Sequence, residues 1–189
     1  MRIVGGRLRG RRLAAPEDRD TRPTSDRARE AVFNILAAGR LDWTGTVDGA
    51  QVLDAFAGTG ALGLEALSRG AAAAVFMETT PAARRLCRAN IAALGLEREA
   101  ELLSCSALKP PPAPSPCDLI FLDPPYRQGL APPAITALDR QGWIAEGALL
   151  LVELEAKEPF APPEGFSVLD ERRYGKARMV FLGRAIAAS

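Results

Sequence analysis

The sequence predicts a doubly wound α/β domain built around a mostly parallel sheet. From residue 51 onward, short apolar runs alternate with segments of helical periodicity, which is the pattern of strands joined by crossover helices. The runs are almost continuously apolar, as is typical of parallel strands buried on both faces. The last two runs, 166–173 and 176–183, have only a short turn between them, so they predict an antiparallel hairpin at one edge of the sheet.

The strands and helices can be assigned one by one along the chain. Five further apolar runs predict strands at residues 51–56, 73–78, 100–105, 118–123 and 148–155. Helical spacing predicts helices at residues 23–39, 61–70, 80–95 and 132–142. Ser25 or Asp26 can cap the first helix, and Thr80 can cap the third, which Gly95 ends. The proline-rich residues 109–117 predict an irregular surface loop, which we interpret as a spacer.

The composition is that of a globular protein with one domain. The chain has 189 residues, of which 48% are apolar, and this is enough for a single core. Met1 is followed by a charged, glycine-rich stretch and no apolar run reaches the ~18 residues of a membrane span, so we expect a cytoplasmic protein. The absence of histidine excludes Ser-His and Cys-His nucleophile pairs. The three cysteines lack the paired spacing of a zinc site, so no metal is predicted.

Positive charge is concentrated at the start of the chain. Residues 1–40 contain ten arginines and five acidic residues, whereas residues 41–189 contain fourteen basic and eighteen acidic residues. Five arginines precede the first acidic residue: Arg2, Arg7, Arg9, Arg11 and Arg12. Such a cluster is expected where a protein contacts phosphates, although charge alone is equally consistent with a solvated tail. We therefore divide the chain into a basic arm with its leading helix, residues 1–40, packed on a core domain of residues 41–189.

A glycine-rich turn after the first predicted strand is typical of a ligand-binding loop or, without a ligand, of close helix packing. Gly58, Gly60 and Gly63 let the backbone approach a ligand at the carboxyl end of the strands. Asp54 ends the strand before this turn, and its carboxylate would repel a pyrophosphate but can hold an ammonium group, directly or through water. Glu78, at the end of the second strand, is placed to accept both hydroxyls of a ribose. The pattern favours S-adenosylmethionine over a dinucleotide as the cofactor.

The fourth predicted strand ends on Asp123, Pro124, Pro125 and Tyr126, where a charge and an aromatic ring flank two residues without amide hydrogens. Methylation of a planar amine needs acceptors that hold its two N–H bonds and direct the nitrogen lone pair at the methyl donor. The Asp123 carboxylate and the Pro124 carbonyl supply such acceptors, and the prolines stiffen the segment. Tyr126 offers a face on which a base can stack, worth ~1–3 kcal/mol. Because the fourth strand is expected beside the first, Asp123 and the glycine turn should share one crevice.

With both sites described, the sequence resembles the Rossmann-fold amino-methyltransferases, and within them the bacterial small-subunit (16S) ribosomal RNA guanine-N2 methyltransferase family. Four blocks carry the likeness in order along nearly the whole chain: RIVGGRLRGRRL (2–13), TRPTSDRAREAVFNIL (21–36), VLDAFAGTGALGLEALSRGA (52–71) and DLIFLDPPY (118–126). The resemblance implies a seven-stranded sheet and S-adenosylmethionine as the cofactor. It also implies methyl transfer to the amino group of a guanine in assembling or assembled small subunits.

The resemblance implies roles for individual residues as well. It implies that the methionine portion of the cofactor is surrounded by Asp54, Phe56, Gly58 and Gly60, and that its ribose is bound by Glu78. Towards the adenine, where many relatives carry an acid or an amide, it implies Thr79, Ser106 and Ala107. The target amine would be held by Asp123, Pro124 and Tyr126. A block beside the active site adds three predicted RNA contacts to the five arginines of the arm: Arg22, Thr24 and Arg27.

Two other functions could use the same residues. The chemistry of the Asp-Pro-Pro-Tyr segment serves any planar NH2 group, so DNA adenine or a protein amide is an alternative substrate. A ribosome-assembly factor that binds RNA without catalysis is an alternative of another class, although an intact Asp123 and glycine turn argue against it. We expect the partner to be ribosomal RNA within the small subunit or its assembly intermediate, because a structured RNA can present one unstacked base.

Overall fold

The computed structural model describes residues 1–16, 26–39 and 41–184. In this part of the chain seven strands form one sheet: β1 (Gln51–Asp54), β2 (Ala73–Met77), β3 (Ala100–Leu103), β4 (Cys117–Leu122), β5 (Ile144–Glu155), β6 (Phe166–Tyr174) and β7 (Ala177–Arg184). The α-helices of the same residues are α1 (Asp26–Ala37), α2 (Ala61–Ser68), α3 (Pro81–Leu94) and α4 (Ala131–Arg140). Each predicted strand and helix is therefore present, and β5 begins earlier than predicted. Ser25, one of the two predicted caps of the first helix, lies outside the described residues.

The order of the strands across the sheet is β3-β2-β1-β4-β5-β7-β6. Strands β1 to β5 run parallel, and β7 pairs antiparallel with both β5 and β6. The predicted fold class and the terminal hairpin are confirmed, with β6 at the edge of the sheet. The strand order reverses between β1 and β4, so the loops that follow these two strands border one crevice, where open α/β sheets bind ligands.

Apolar side chains pack against the two faces of the sheet in two separate clusters. Helices α1, α2 and α3 cover one face, where the Phe33 ring of α1 lies 5.7 Å from the Phe121 ring of β4. Helix α4 covers the other face with Ala134, Ile135 and Leu138, all fully buried. Because successive residues of a strand point to opposite faces, burial of both faces explains the continuous apolar runs of the sequence.

The proline-rich loop between β3 and β4 is more than the spacer that the sequence suggested. The Trp143 indole N–H donates to the Pro111 carbonyl at 2.8 Å, and Ala107 is only 2% exposed within the second cluster. Consecutive prolines lack amide donors and cannot continue a helix. The loop therefore covers part of a sheet face in an irregular conformation, in the place of a crossover helix.

Residues 1–13 form a hairpin docked against α2 and α3, which we call the arm hairpin. Its two ends pair through an antiparallel bridge between Arg2 and Arg12, and its Ile3 and Leu13 side chains are buried in the first cluster. The Leu8 amide donates to Ser68 Oγ of α2 at 3.0 Å. These contacts exclude a solvated tail for this part of the chain.

A buried acidic residue joins the arm hairpin to the helices. Glu65 of α2 is fully buried and accepts a hydrogen bond from the Val4 amide at 2.8 Å. Its carboxylate also pairs with Arg69 at 2.8 Å and lies 3.6 Å from Nε of the buried Arg29 of α1. Arg29 in turn donates to the Arg2 carbonyl. Because removing one partner of a buried pair leaves the other charge uncompensated, these contacts hold the hairpin, α1 and α2 in one arrangement.

Gly63 of α2 packs so closely on β2 that a side chain at this position should destabilise the fold. A Cβ atom there would lie 2.4 Å from the Phe76 ring. Phe76 is fully buried, so its ring cannot move aside. We expect Gly63→Ala to lower the free energy of unfolding by ~1–3 kcal/mol, although alanine favours a helix over glycine by ~1 kcal/mol. Urea unfolding measures the change. The same substitution in a Phe76→Leu background should cost less, and an equal cost in both backgrounds would contradict the proposed clash.

Candidate active site

The pairing of β1 with β4 places the two predicted functional segments side by side. Asp54 of β1 is aligned with Phe121 of β4, and the Ala55 amide donates to the Phe121 carbonyl at 2.9 Å. Phe56 and Asp123 each follow the aligned pair by two residues, so both lie just beyond the carboxyl ends of these strands. Neighbouring strands are separated by ~4.8 Å. The glycine turn and the Asp-Pro-Pro-Tyr segment therefore border the same crevice, as the predicted strand order required.

Two glycines of the turn adopt left-handed conformations but face different surroundings. Gly58 has φ of 54°, and a Cβ atom there would meet nothing within 4 Å. Gly60 has φ of 81°, and a Cβ atom there would lie 2.9 Å from the Cys87 sulfur. Gly60 is thus required for packing, whereas the backbone at Gly58 borders open space that a ligand can approach closely. Phe56, in the same turn, is half-buried against the second apolar cluster.

Asp54 is a buried carboxylate that holds the start of α2. It is 1% exposed, and it accepts a hydrogen bond from the Gly63 amide at 3.0 Å. Burial raises the pKa of Asp54 to about 7, the Gly63 hydrogen bond opposes this rise, and the charge of Glu78 adds to it. Near neutral pH the group therefore exists in both protonation states, and a cation in the crevice would favour the charged one.

Glu78 connects the glycine turn with the beginning of α3. Its Oε2 accepts from the Gly58 amide at 2.9 Å, and its Oε1 accepts from the Thr80 amide at 2.7 Å. Thr80 is the N-cap residue of α3 but makes no capping hydrogen bond with its side chain, so Glu78 replaces the cap predicted for Thr80. Thr79 is exposed beside it. Each carboxylate oxygen of Glu78 keeps a lone pair, so both can still accept from hydroxyl groups.

Ser106 and Ala107 follow β3, next to the end of β2. The Glu78 amide donates to the Leu103 carbonyl at 3.2 Å, which keeps the ends of these two strands together. Ser106 Oγ accepts from the Leu108 amide at 3.1 Å, and Ala107 is buried. In this structure Ser106 therefore stabilises a local turn, and the Ser106 and Ala107 backbone lies at the side of the crevice beyond Glu78.

The Asp-Pro-Pro-Tyr segment is held by an acidic residue that the sequence analysis missed. Asp123 is half-buried and Pro124 is buried. The Tyr126 hydroxyl donates to Glu153 Oε1 of β5 at 2.6 Å, and Glu153 is 6% exposed. A charge within the apolar run of β5 was the signal that could have identified Glu153, because buried acids need partners. The hydrogen bond fixes the orientation of the Tyr126 ring.

Arg127, the next residue, anchors the segment a second time. It has φ of 60°, a left-handed conformation that residues other than glycine rarely adopt. Its guanidinium pairs with both Glu155 oxygens, with Nη2 to Oε1 at 2.6 Å, and its amide donates to Glu158 Oε2 at 3.0 Å. The two glutamates hold this unusual backbone in place, so the end of β5 determines the position of the loop after β4.

The predicted RNA contacts of the arm occupy different environments. Arg22 and Thr24 lie outside the described residues, and the other six arginines of the set are all exposed. Arg7 pairs with Glu99 at 2.7 Å, Arg11 donates to the Ala93 carbonyl at 2.5 Å, and Arg2 Nε lies 3.7 Å from Asp26 Oδ2. Three of the predicted contacts are therefore already engaged with the protein.

The arm hairpin extends away from Asp123. Helix α2 begins beside the glycine turn and runs back to Ser68 at the amino ends of the strands. Because the Leu8 amide is bound to Ser68, the neighbouring Arg7 and Arg9 lie near that edge. A helix of eight residues spans ~12 Å. These arginines can therefore contact only RNA that extends well beyond the target base.

Asn90 of α3 links the arm hairpin to the glycine turn, and the sequence analysis did not identify it. This side chain is 2% exposed. Its Nδ2 donates to the Thr59 carbonyl at 2.9 Å and to the Ala14 carbonyl at 3.1 Å, while its Oδ1 accepts from the Ala14 amide at 2.7 Å. Both amide hydrogens of Asn90 are used in these bonds.

Three further features of the described residues concern metal clusters, membrane-spanning helices and buried thiols. Residues 1–16, 26–39 and 41–184 contain no cluster of three or more His, Cys, Asp or Glu residues that could hold a metal ion. In the same residues, no helix has both the length and the apolar character needed to cross a membrane. Burial raises the pKa of Cys87 and of Cys117 to about 12, so both thiols stay protonated, as expected of residues that fill the core.

Comparisons with known proteins identify the family of the chain and agree with its fold. Residues 1–183 match the family described as Conserved hypothetical protein 95. The chain is 43% identical over 159 residues to Ribosomal RNA small subunit methyltransferase D of Escherichia coli strain K12, covering 83% of this chain and 76% of that protein. It is 36% identical over 179 residues to the Haemophilus influenzae protein of the same name, covering 93% of this chain and 89% of that protein.

The solved structures give the same result. The structure of yhhF from Escherichia coli has a TM-score of 0.81 and 37% identity, and the match covers 98% of each chain. HI0767 from Haemophilus influenzae has a TM-score of 0.77 and 33% identity, with 97% of this chain and 98% of that chain covered. The chain therefore belongs to the ribosomal RNA small subunit methyltransferase D family, with a Rossmann-like fold, and the family resemblance of the sequence is confirmed.

Proposed function

We propose that this chain transfers a methyl group from S-adenosylmethionine to the exocyclic N2 amino group of a guanine in small-subunit ribosomal RNA. The observation that carries the proposal is the alignment of Asp54 with Phe121, which brings Asp123 over the crevice of the glycine turn. The names of the relatives from Escherichia coli and Haemophilus influenzae support ribosomal RNA as the substrate. The guanine and its N2 atom rest on the family resemblance of the Asp-Pro-Pro-Tyr segment and its neighbouring blocks.

The residues of the crevice fit S-adenosylmethionine. When bound, this cofactor supplies an electrophilic methyl group on a sulfonium. Asp54 can hold its ammonium group, Glu78 can accept its ribose hydroxyls, and the open backbone at Gly58 permits close approach. On the adenine side we propose Thr79, Ser106 and Ala107.

Asp123 and Pro124 hold the target amine in this proposal. The amine lone pair is delocalised into the base, so the site must accept both N–H bonds to direct the lone pair towards the methyl group. The Asp123 carboxylate accepts one N–H, and the Pro124 carbonyl accepts the other. Positive charge develops on the nitrogen as the methyl group is transferred, and a fixed carboxylate stabilises this charge. Asp123 can then take the proton that the nitrogen releases.

Tyr126 forms the platform on which the target base stacks. Its hydroxyl is bound by Glu153 at 2.6 Å, so the ring is positioned before the substrate arrives. The Arg127 contacts to Glu155 and Glu158 fix the loop that carries Tyr126. A preformed platform lowers the entropic cost of aligning the base, and alignment of reacting groups can contribute ~7–11 kcal/mol to catalysis.

The raised pKa of Asp54 predicts how cofactor affinity depends on pH. Below about pH 7 the carboxyl is mostly neutral and cannot pair with an ammonium group, so the affinity for S-adenosylmethionine should increase from about pH 6 to about pH 8. Below the pKa the increase is up to ~10-fold per pH unit. Asp54→Asn keeps an acceptor for the Gly63 amide but should bind more weakly and without this slope. Isothermal titration calorimetry measures both, and the same slope in the two proteins would contradict the role of Asp54.

Removal of the Asp123 carboxylate should affect turnover more than cofactor binding. We expect Asp123→Ala to reduce kcat by ~10²–10³-fold, the effect of losing one positioned electrostatic partner, while the Kd for S-adenosylmethionine changes by no more than a few fold. Glu146→Ala removes an exposed acid at the opposite end of the sheet and serves as the matched control. Unchanged turnover in Asp123→Ala would refute the assignment of this carboxylate.

The substrate is tested by labelled methyl incorporation. Small subunits isolated from a strain that lacks the gene should accept one methyl group per subunit, whereas DNA and free protein should accept none. Mass spectrometry of the ribosomal RNA should then locate N2-methylguanine. Incorporation into DNA adenine or a protein amide would overturn the proposal. If the parent protein restored subunit assembly without methylating the RNA, the chain would be an assembly factor instead.

A further inference from the structure

We propose that three exposed cations, Lys157, Arg173 and Lys176, form a surface that binds RNA phosphates beside the target base. We call them the turn cluster. Lys157 follows β5, Arg173 lies near the end of β6, and Lys176 lies in the turn between β6 and β7. The inference rests on the proposed RNA substrate and adds a substrate-binding surface to it.

The register of the strands places the turn cluster at the same edge of the sheet as Asp123. Glu155, the last residue of β5, is aligned with Ala177, the first residue of β7. The Ala156 amide donates to the Lys176 carbonyl at 2.8 Å, which brings the segments of Lys157 and Lys176 together. Because β5 runs parallel to β4, the turn lies at the carboxyl edge of the sheet, where Asp123 follows β4.

A short series of contacts connects the turn cluster with the base platform. Ala177, adjacent to Lys176, is paired with Glu155 across the two strands. Glu155 binds the Arg127 guanidinium, and Arg127 directly follows Tyr126. RNA whose base stacks on Tyr126 would therefore bring its flanking phosphates to this side of the crevice.

The charges at this edge favour phosphate binding by the turn cluster. Within residues 1–16, 26–39 and 41–184, no ion pair includes any of its three cations, and all three are exposed. Three neighbouring acids have basic partners of their own: Glu155 with Arg127, Asp170 with Arg172 at 2.8 Å, and Glu171 with Arg178 at 3.5 Å. Glu158, which follows Lys157, is buried and its carboxylate accepts from the Arg127 amide. Positive charge is thus left over at the turn, as phosphate contacts require.

The tip of the arm hairpin cannot supply the same contacts. Its Arg7 and Arg11 are bound to the protein, and the hairpin tip lies near the opposite edge of the sheet. An alternative explanation is that cations on an edge strand prevent it from pairing with another sheet, and this would account for Arg173 of β6. That explanation does not extend to Lys157 and Lys176, which lie outside the edge strand.

The test compares Lys157→Ala/Arg173→Ala/Lys176→Ala with the parent protein on small subunits isolated from a strain that lacks the gene. We expect the magnitude of the slope of log K against log salt to fall by ~2–3, because each phosphate contact contributes ~0.7–0.9. The KM for subunits should rise at least tenfold, while the Kd for S-adenosylmethionine stays within twofold. Arg140→Ala removes an exposed cation at the end of α4, outside the turn cluster, and as the control should change none of these values.

The outcomes separate this inference from the proposed function. Efficient methylation by the triple variant with an unchanged salt slope and KM would overturn the role of the turn cluster and leave the proposed function intact. If the triple variant showed a reduced salt slope in the binding assay but the parent protein transferred no methyl group to the subunits, RNA binding by the turn cluster would be supported. The proposed methyl transfer would then be refuted. Charge-reversed variants, with Glu at the three positions, should weaken binding further, and an equal affinity of the Ala and Glu variants would contradict phosphate contact.

Discussion

The hydrogen bonds between β1 and β4 are the constraint on which the rest of the structure depends. They align Asp54 with Phe121 and so fix the points at which β1 and β4 leave the sheet relative to each other. A shift of this register by one residue would exchange the faces of the β4 side chains and move Asp123 along the crevice. Such a shift is prevented because Leu119 and Phe121 pack on one face while Ile120 and Leu122 pack on the other. The core thus determines the geometry of the site.

Acidic side chains at the carboxyl ends of the strands hold the loops by accepting hydrogen bonds from backbone amides. Loops beyond the strands lose the regular backbone partners of a sheet, and acidic side chains accept their amide hydrogens instead. Asp54 binds the amide of Gly63, Glu78 binds the amide of Gly58, and Glu158 binds the amide of Arg127. Backbone donors keep each carboxylate in place, and for Asp54 burial carries a desolvation cost that its raised pKa reflects. The same groups that shape the crevice therefore make it attractive to cations.

The sequence predicted the sheet, its helices and the meeting of two loops, because periodicity and strand order are local signals combined with a general topological rule. It did not predict the partners that come from distant parts of the chain. Glu153 was assigned to a strand without a role, and its contact with Tyr126 depends on how β5 lies beside β4. The arm was expected to pack on the core, but its hairpin form was not predicted, since the bond between Leu8 and Ser68 leaves no periodic pattern in the sequence. The left-handed backbone of Arg127 is likewise set by tertiary contacts and not by residue type.

The side chain of Asn90 has a mechanical consequence. It forms hydrogen bonds with Ala14, next to the end of the hairpin, and with Thr59 within the glycine turn, and these bonds use both of its side-chain amide hydrogens. Were either segment to lift away alone, a buried polar group would lose its partner at a cost of ~1–3 kcal/mol. Local opening therefore has its lowest free-energy cost when both segments detach together, so the two behave as one cooperative unit in the native ensemble. The arm hairpin is in that sense a structural part of the glycine turn that borders the crevice.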